Sequence, residues 1–504
     1  MSIIWPYTKN NVMYAEVRTS ERKESGGKPK STPVYLGKVI DLEEGLFMNR
    51  KMGVFKYTIE SGFEEADLQD STLLNTYRDE KLILDFGSSY LLSEFSKKTG
   101  FWTLFRDTLP SYSDSLMAMV FYYIEMSASN QEAVRWFRGS LSSLLFPAAQ
   151  LQSQRSSELL ARLGDEAVVR SFFERYLKLL VPPDKKTGIL IDSTGLPNSI
   201  HFPLTAVSNH NGEISEEVRL IFVVDAETGL PLFFRCNAGN IVDITTLKAA
   251  LLELEELRLS VKQAVLDAGY CSEDNILALF EAKIHFLTRL PLNRKLFLDS
   301  IIKYREEVLS DYCRYMYNER VIGVKRIYTP LYGHRGYLYL CVDYNRRNDQ
   351  IKNFTKGAFA DKLPRSQWGS FTDKMGFFAL ISSIKLEPEE LLPLYYIRQT
   401  VEQVFDVTIN STHILPLRTH SEETFRGHIM LTFMATVMYL KLNQCFKGHK
   451  VLTAQNAIIE MRNLKCKVFD HCLLVEETAK DMREICEIVG IKVPDKIRLP
   501  IKHV

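Results

Sequence analysis

The sequence predicts an α/β protein in which helices flank a mixed β-sheet. Between residues 84 and 182, apolar side chains recur every three or four positions, which is typical of helices. Between residues 188 and 290, short apolar runs alternate with amphipathic segments, which is the pattern of strands and covering helices in α/β domains. The length of 504 residues allows roughly two to four domains.

The first 182 residues divide into a strand-rich part and a helical part. Residues 1–83 carry short strand-like runs and a polar stretch, residues 21–33, which is predicted to be a loop or a hairpin tip. The helical part covers residues 84–182. Its last predicted helices, over residues 157–180, end at Val181-Pro182-Pro183 because proline cannot continue a helix.

The next segment predicts the sheet. A turn at Glu227-Thr228-Gly229 joins two of its strands into a pair. An amphipathic helix is predicted over residues 243–257, and a second helix begins after Ser272. The predicted strands cover residues 189–192, 218–224, 232–236, 261–266 and 284–287.

Residues 290–375 are predicted to be a β-rich basic insertion, because the helix signal weakens and strands are expected at 321–328 and 336–344. Residues 285–375 contain 17 Lys or Arg and 9 Asp or Glu, with nine tyrosines between residues 304 and 344. Basic residues neutralise phosphates and aromatic faces accept unstacked bases, which favours contact with DNA. The alternative is a solvated β-surface with a tyrosine-rich core.

Two aspartates stand where predicted strands end. Asp192 ends the apolar run Gly188-Ile189-Leu190-Ile191, and Asp267 ends the run Ala264-Val265-Leu266. If the two strands are adjacent and parallel, both carboxylates lie at the sheet edge where α/β proteins bind ligands. Carboxylates that converge in this way hold the Mg²⁺ ions of enzymes that cut and join phosphodiesters.

A third acid, Glu402, falls in a predicted helix over residues 395–402. Tyr395, Arg398 and Glu402 are spaced i, i+3 and i+7, so they share one helical face. Arg398 can pair with the carboxylate or hold a phosphate beside a metal ion. Each acid also has an ordinary structural interpretation, since an Asp after a strand is a common turn former or helix N-cap and an Arg–Glu pair is common on helix surfaces.

Composition excludes several other classes. The net charge is +1, so global charge does not indicate a nucleic-acid-binding protein. The eight cysteines include no C-x-x-C pair, which disfavours structural zinc and favours a reducing, cytosolic compartment. The N-terminus lacks the pattern of a signal peptide. The longest apolar stretch, residues 429–440, is shorter than the ~20 residues of a membrane span and is predicted to be a buried helix.

The motifs around the three acids resemble the Asp-Asp-Glu (DDE) transposases of bacterial insertion sequences, in the group with the signature Y-x2-R-x3-E-x6-K. The resemblance covers residues 84–445, and its motifs occur in the family's order. They are Ile191-Asp192-Ser193-Thr194-Gly195, Val224-Asp225-x-Glu227-Thr228-Gly229-Leu230-Pro231, Gly239-Asn240-x-x-Asp243, Leu266-Asp267-Ala268-Gly269-Tyr270, Gly376-Phe377-Phe378 and Tyr395-x2-Arg398-x3-Glu402.

The resemblance implies a ribonuclease-H-like catalytic domain in two parts, residues 183–289 and 376–445, interrupted by the insertion at 290–375 and followed by a C-terminal helical region, residues 446–504. It implies that Asp192, Asp267 and Glu402 bind Mg²⁺, with Mn²⁺ as a substitute, and that Asp192 bridges two ions. Tyr395 and Arg398 are implied to contact the transposon end.

The partners that the resemblance implies are double-stranded DNA, both as transposon ends and as target, and a second copy of the chain. Residues 84–182, with the strand-rich part before them, would bind the terminal inverted repeats. A homodimer on DNA is expected because two ends must be brought together. The implied location is the cytoplasm of a bacterium, at the nucleoid, with no membrane.

The sequence departs from the signature at one position. The signature's Lys falls at residue 409, which is Ile409 here. This departure leaves open a degenerate or domesticated transposase that binds DNA without cutting it. A ribonuclease-H-like nuclease without strand transfer is a second alternative. A glycosidase with paired carboxylates is disfavoured, because the basic segment suits phosphates rather than sugars.

Overall fold

The computed structural model describes residues 2–9, 12–19, 33–49, 52–65, 82–126, 129–198, 200, 202, 204–208, 214–241, 243–360, 364, 365, 368, 372–412, 414, 415, 417, 419, 421–469 and 472–499. The chain splits into two compact units. One comprises Met1–Leu91, Gly139–Leu141 and Ala457–Val504, and the other comprises Leu92–Arg138 and Ser142–Asn456. The six-part division of the chain given above stays a prediction.

The strands formed by the described residues are, in chain order, β1 (Ser2–Lys9), β2 (Val12–Thr19), β3 (Val34–Asp41), β4 (Leu46–Asn49), β5 (Gly53–Thr58), β6 (Gly62–Glu65), β7 (Leu82–Asp85), β8 (Thr187–Pro197), β9 (Ala206–Ser208), β10 (Ser215–Asp225), β11 (Pro231–Ala238), β12 (Val261–Leu266), β13 (His285–Leu290), β14 (Arg314–Tyr317), β15 (Arg320–Tyr328), β16 (Tyr337–Asp343), β17 (Phe377–Ser382), β18 (Lys465–Val468), β19 (Cys472–Val475) and β20 (Lys496–Arg498).

The α-helices of the same residues are α1 (Gly87–Thr99), α2 (Phe101–Thr108), α3 (Ser113–Glu125), α4 (Ala133–Gly139), α5 (Ser142–Leu145), α6 (Ser153–Leu163), α7 (Glu166–Leu180), α8 (Leu247–Glu256), α9 (Glu273–Glu281), α10 (Lys295–Leu309), α11 (Tyr344–Ala360), α12 (Pro388–Tyr396), α13 (Gln399–Asp406), α14 (Glu422–Cys445), α15 (Ala454–Arg462) and α16 (Lys480–Val489).

The first unit contains two antiparallel sheets. Strands β1 to β6 form one of them, in which each strand pairs with the next along the chain. Val17, Leu36, Phe47 and Phe55 build its core on one face. The other sheet has the order β20-β19-β18-β7. Of the polar stretch predicted as a hairpin tip, residues 21–32 lie outside the described residues.

The second unit is built on a mixed sheet. The described strands of this sheet have the order β11-β10-β8-β12-β13-β17-β16-β15-β14, with β9 paired to β10. Strand β12 is parallel to both β8 and β13, and the remaining pairs are antiparallel. The α/β class with a mixed sheet and helices is confirmed.

An aromatic core packs helices onto the antiparallel end of this sheet. Phe433 in α14 lies within ring contact of Phe173 in α7, of Phe222 in β10 and of Phe234 in β11, at centroid distances of 5.2, 6.3 and 5.3 Å. Helix α14 is buried without interruption from Gly427 to Tyr439, as predicted for residues 429–440. No helix formed by the described residues is both long enough and apolar enough to cross a membrane.

The segment expected to be β-rich holds more helix than its sequence predicts. Strands β14 to β16 are present, but α10 and α11 lie before and after them. The strands predicted at 321–328 and 336–344 are confirmed as β15 and β16, whereas the helices α10 and α11 were not predicted. Helix α11 is mostly polar, and its apolar stripe contains little beyond Ile351, Phe354 and Ala358, which is too narrow for periodicity to reveal.

Candidate functional site

Asp192 and Asp267 lie next to each other because the strands that lead to them are neighbours in the sheet. Strands β8 and β12 run parallel, and Leu266 lies opposite Ile191, so the two aspartates follow at the same level. The prediction that the strand ends at Asp192 was wrong, since β8 continues to Pro197. Beyond Asp192 the strand has lost its parallel partner but still pairs with antiparallel β10, which sustains the extended backbone. Asp192 thus marks the edge of the parallel part of the sheet.

Glu402 reaches the same edge from a pair of consecutive helices. The prediction of a single helix over residues 395–402 was wrong, since α12 ends at Tyr396 and α13 begins at Gln399. At the joint, the N–H groups of Arg398 and Val401 donate to carbonyls three residues back, which tightens the turn there. Arg398 therefore stands between the two helices.

The Arg398 guanidinium contacts all three predicted acids. Its Nη1 donates to Asp192 Oδ2 at 2.8 Å and lies 3.6 Å from Asp267 Oδ1. Its Nη2 donates to Glu402 Oε1 at 3.2 Å. Residues that are more than 200 positions apart in the sequence thus converge on one side chain. The structure brings together Asp192, Asp267, Glu402 and Arg398.

The three acids differ strongly in how far they are buried, and burial has the largest effect on the pKa of Asp192. The side chain of Asp192 is 15% exposed, whereas those of Asp267 and Glu402 are 37% and 57% exposed. Burial raises the pKa of Asp192 from 3.8 to about 6, Arg398 opposes this rise, and the nearby Asp267 adds to it. Burial acts to lower the pKa of Arg398, but the carboxylates of Asp267 and Asp192 outweigh it and leave that pKa raised.

The chemistry of this group of oxygens fits a divalent cation. Carboxylate oxygens are the ligands that Mg²⁺ prefers, and three of them here surround one positive group. Among the described residues, no group of three or more His, Cys, Asp or Glu side chains has the spacing that holds a metal ion. The guanidinium occupies the point where the carboxylates meet. All three acids can share a metal site only if Arg398 moves away.

Tyr395 is buried, unlike Arg398. It is 7% exposed, and its ring stacks on Phe378 at a centroid distance of 5.9 Å. It lines a cavity of about 580 Å³ together with Arg289, Arg346 and Tyr396.

A second charged cluster lies beside Asp192, and the sequence pattern did not reveal it as a unit. Asp243 Oδ1 accepts hydrogen bonds from Ser193 Oγ at 2.6 Å and from Arg219 Nη1 at 3.0 Å. The Arg219 side chain is only 5% exposed. The sequence signal for this cluster was the position of Arg219 inside the apolar strand β10, because a charged side chain in a buried strand requires a partner.

The matched family agrees with this geometry. A family model described as "Transposase DDE domain" matches residues 183–438, more than half of the chain. The chain belongs to this transposase family. The matched range includes all three acids and both Tyr395 and Arg398. Transposases of this family generally use divalent metal ions, in keeping with the oxygen-rich site.

One solved structure similar to this transposase is described as a cryo-EM structure of the piggyBac transposase synaptic complex with hairpin DNA. The two share 11% sequence identity with a TM-score of 0.39, over 69% of this chain and 70% of that chain. A comparison with curated protein sequences finds no match.

The position of the signature lysine lies just beyond α13. Ile409 is part of a π-helical turn, Val407–Ser411, and its side chain is half-buried. A π-turn adds one residue to the helical repeat, so the side chains beyond it face a different direction from those of a regular helix. Asn410 next to it donates to Asp406 Oδ1 at 2.6 Å and is exposed.

Proposed function

We propose that this protein is a Mg²⁺-dependent DNA transposase of the insertion-sequence type. It binds the terminal inverted repeats of its element, cleaves at their ends and joins them to target DNA. The observation that carries the proposal is the convergence of Asp192, Asp267 and Glu402 around one guanidinium, inside the matched transposase domain. The mixed sheet, with the first two acids on neighbouring parallel strands, supports a ribonuclease-H-like catalytic domain.

Asp192, Asp267 and Glu402 are proposed as the residues that would hold the metal. When bound, Mg²⁺ lowers the pKa of the attacking water or 3′-hydroxyl and stabilises the leaving oxygen. Asp192 is the most buried of the three and lies closest to the guanidinium, so it would hold a cation away from solvent. Its carboxylate must be ionised to serve. Burial raises its pKa to about 6, and Arg398 opposes this rise in the metal-free protein.

Arg398 is proposed to exchange partners during assembly. In the structure it neutralises the acids, and a metal ion that takes its place would release the guanidinium. Guanidinium groups bind phosphate oxygens in two-pronged geometry, so the released side chain can hold a DNA phosphate one helical turn from Glu402. Arg398 thereby links metal binding to DNA binding.

Tyr395 is proposed to meet the DNA end through the cavity that it lines. Arg289 and Arg346 border the same cavity and offer positive charge to a backbone phosphate. Tyr395 itself is held by Phe378, so it presents a fixed surface to the sugar or base.

A cleavage and joining assay tests the proposal. The substrate is a supercoiled plasmid that carries the coding sequence with its natural flanking DNA, and the control plasmid lacks the flanks. With Mg²⁺ we expect nicking at the flanks and joined product with target DNA. Asp192→Ala, Asp267→Ala and Glu402→Gln should each abolish cleavage with DNA affinity unchanged. A variant that cleaves at the native rate would exclude its residue as a ligand.

The assay also distinguishes the second candidate, a transposase that binds DNA without cutting it. Ile409 in place of the signature lysine favours this candidate, and so does Arg398, whose guanidinium lies between the three carboxylates. Binding to the flanks without Mg²⁺-dependent cleavage would support it. Cleavage without joined product would instead identify a nuclease that lacks strand transfer.

A further inference from the structure

The cluster of Asp243, Ser193 and Arg219 is charged and unused by the chemistry proposed above, and its arginine is buried while its other two members are half-buried. Arg219 donates to Asp243 at 3.0 Å and to the Gly239 carbonyl at 3.4 Å, with Glu217 at 3.8 Å. The Arg219 side chain is only 5% exposed, so these contacts restrict the orientations that its guanidinium can adopt. Asp243 is therefore held in a fixed position by the sheet.

Asp243 touches the chain segment that carries Asp192. Ser193 Oγ donates to Asp243 Oδ1 at 2.6 Å, and the N–H of the same Ser193 donates to Asp192 Oδ1 at 2.9 Å. Ser193 thus joins the two carboxylates, with its side chain bound to one and its backbone to the other. A shift of Ser193 would move the Asp192 carboxylate with it.

Asp243 also packs against the segment that carries Asp267. Gly269 lies two residues after Asp267, and a Cβ atom at this glycine would stand 2.9 Å from Asp243 Oδ2. Real Cβ atoms essentially never approach an oxygen this closely, so a side chain at position 269 would displace the Asp243 carboxylate or the segment of Asp267. Asp243 fills the space between the segments of both aspartates.

We propose that Asp243, oriented by Arg219, is a positioning residue that sets the separation of Asp192 and Asp267 for metal binding. This inference rests on the proposed metal-dependent function. Mg²⁺ requires near-ideal octahedral geometry with short oxygen distances, so small displacements of its ligands weaken binding. Residues that orient metal ligands typically change metal affinity 10–100-fold when they are replaced.

The experiment measures Mn²⁺ affinity by calorimetry on the full-length, DNA-free protein, together with the unfolding midpoint temperature. Ser193→Ala removes the hydrogen bond from Ser193 Oγ to Asp243 and the longer contact from Arg219 Nη1 at 3.5 Å, and it leaves the Arg219–Asp243 pair in place. We expect its Kd for Mn²⁺ to rise about 10-fold while its midpoint changes by no more than a few degrees. Gly269→Ala should have the same effect on Kd. Ser193→Thr retains the hydroxyl and should restore the native affinity.

A matched control removes an ion pair of similar length on the same sheet. Arg235 in β11 contacts Glu253 in α8 at 2.6 Å, so Glu253→Gln should leave the Mn²⁺ affinity unchanged. If the cluster had only a structural role, Ser193→Ala and Gly269→Ala would lower the unfolding midpoint temperature and leave the Mn²⁺ affinity of the folded protein unchanged. In the nicking assay, the positioning role predicts a lower kcat with an unchanged KM for DNA, and recovery at higher Mn²⁺ concentration.

The outcomes separate this inference from the function on which it rests. Native Mn²⁺ affinity in Ser193→Ala and Gly269→Ala would overturn the positioning role, even if Asp192→Asn abolishes binding. Mn²⁺ binding that survives Asp192→Asn, or is missing in the unmodified protein, would overturn the proposed metal site and this inference together.

Discussion

Replacement of Arg398 by glutamine should destabilise the metal-free protein, because the guanidinium neutralises three acids. It donates charge-assisted hydrogen bonds to Asp192 at 2.8 Å and to Glu402 at 3.2 Å, and bonds of this kind contribute about 1.5–3 kcal/mol each. Glu402 is 57% exposed, so solvent weakens its contribution, whereas Asp192 is 15% exposed. We expect Arg398→Gln to lower the free energy of unfolding by about 2–4 kcal/mol at pH 7.

Mg²⁺ should reverse this loss, since a metal ion can replace the guanidinium as counter-ion. The assay is urea unfolding without DNA, with and without saturating Mg²⁺. A ligand present at 100 times its Kd stabilises the folded state by about 2.7 kcal/mol. The variant should gain more than the unmodified protein, because the ion no longer competes with Arg398.

A surface ion pair supplies the control for this measurement. Arg235→Gln breaks the contact with Glu253, where both partners are about one-third exposed, and should cost about 0–1 kcal/mol with no dependence on Mg²⁺. If the Arg398→Gln protein were as stable as the unmodified one, the guanidinium would not stabilise the three acids. Equal stabilisation of both proteins by Mg²⁺ would refute the exchange of Arg398 for metal.

Three further predictions concern single residues. The pKa of Asp192 is raised from 3.8 to about 6, so the folded state holds a proton that the unfolded chain releases between these values, and stability falls as pH rises through that window. This difference in pKa corresponds to about 3 kcal/mol. Asp192→Asn should therefore be more stable than the unmodified protein at pH 7 but equal to it at pH 4. Parallel curves of stability against pH for the two proteins would contradict this prediction. Ile409→Lys should tighten binding to flanking DNA and steepen the slope of log K against log salt by about 0.9, as measured by fluorescence anisotropy. An unchanged slope would exclude a new phosphate contact. Phe433→Ala should cost about 3–5 kcal/mol in urea unfolding because this ring centres the aromatic core, and a loss below about 1 kcal/mol would show that the core collapses around the gap.

The sequence predicted the neighbouring strands of the site well. The runs before Asp192 and Asp267 are apolar on both faces, which is the pattern of parallel strands covered by helices, and the structure pairs them in parallel. The end of the first strand could not be predicted. The residues after Asp192 suit a turn, but pairing with β10 keeps them extended, and that pairing is a tertiary effect.

Local spacing revealed only the local contacts of Arg398. The i, i+4 rule predicted its pair with Glu402, which the structure contains. Its bond to Asp192 joins residues 206 positions apart, and no periodicity reports a contact of that range. The role of Asp243 was hidden for the same reason, because its partners Ser193 and Arg219 lie on two different strands.

Crystals of the metal-free protein soaked in Mn²⁺ would test the central claim most directly, that Asp192, Asp267 and Glu402 form the metal site. Anomalous scattering locates the ion without reference to activity. We expect an anomalous peak in contact with both Asp192 and Asp267, with the Arg398 guanidinium turned away from them. An ion bound elsewhere, with Arg398 still between the three carboxylates, would contradict it.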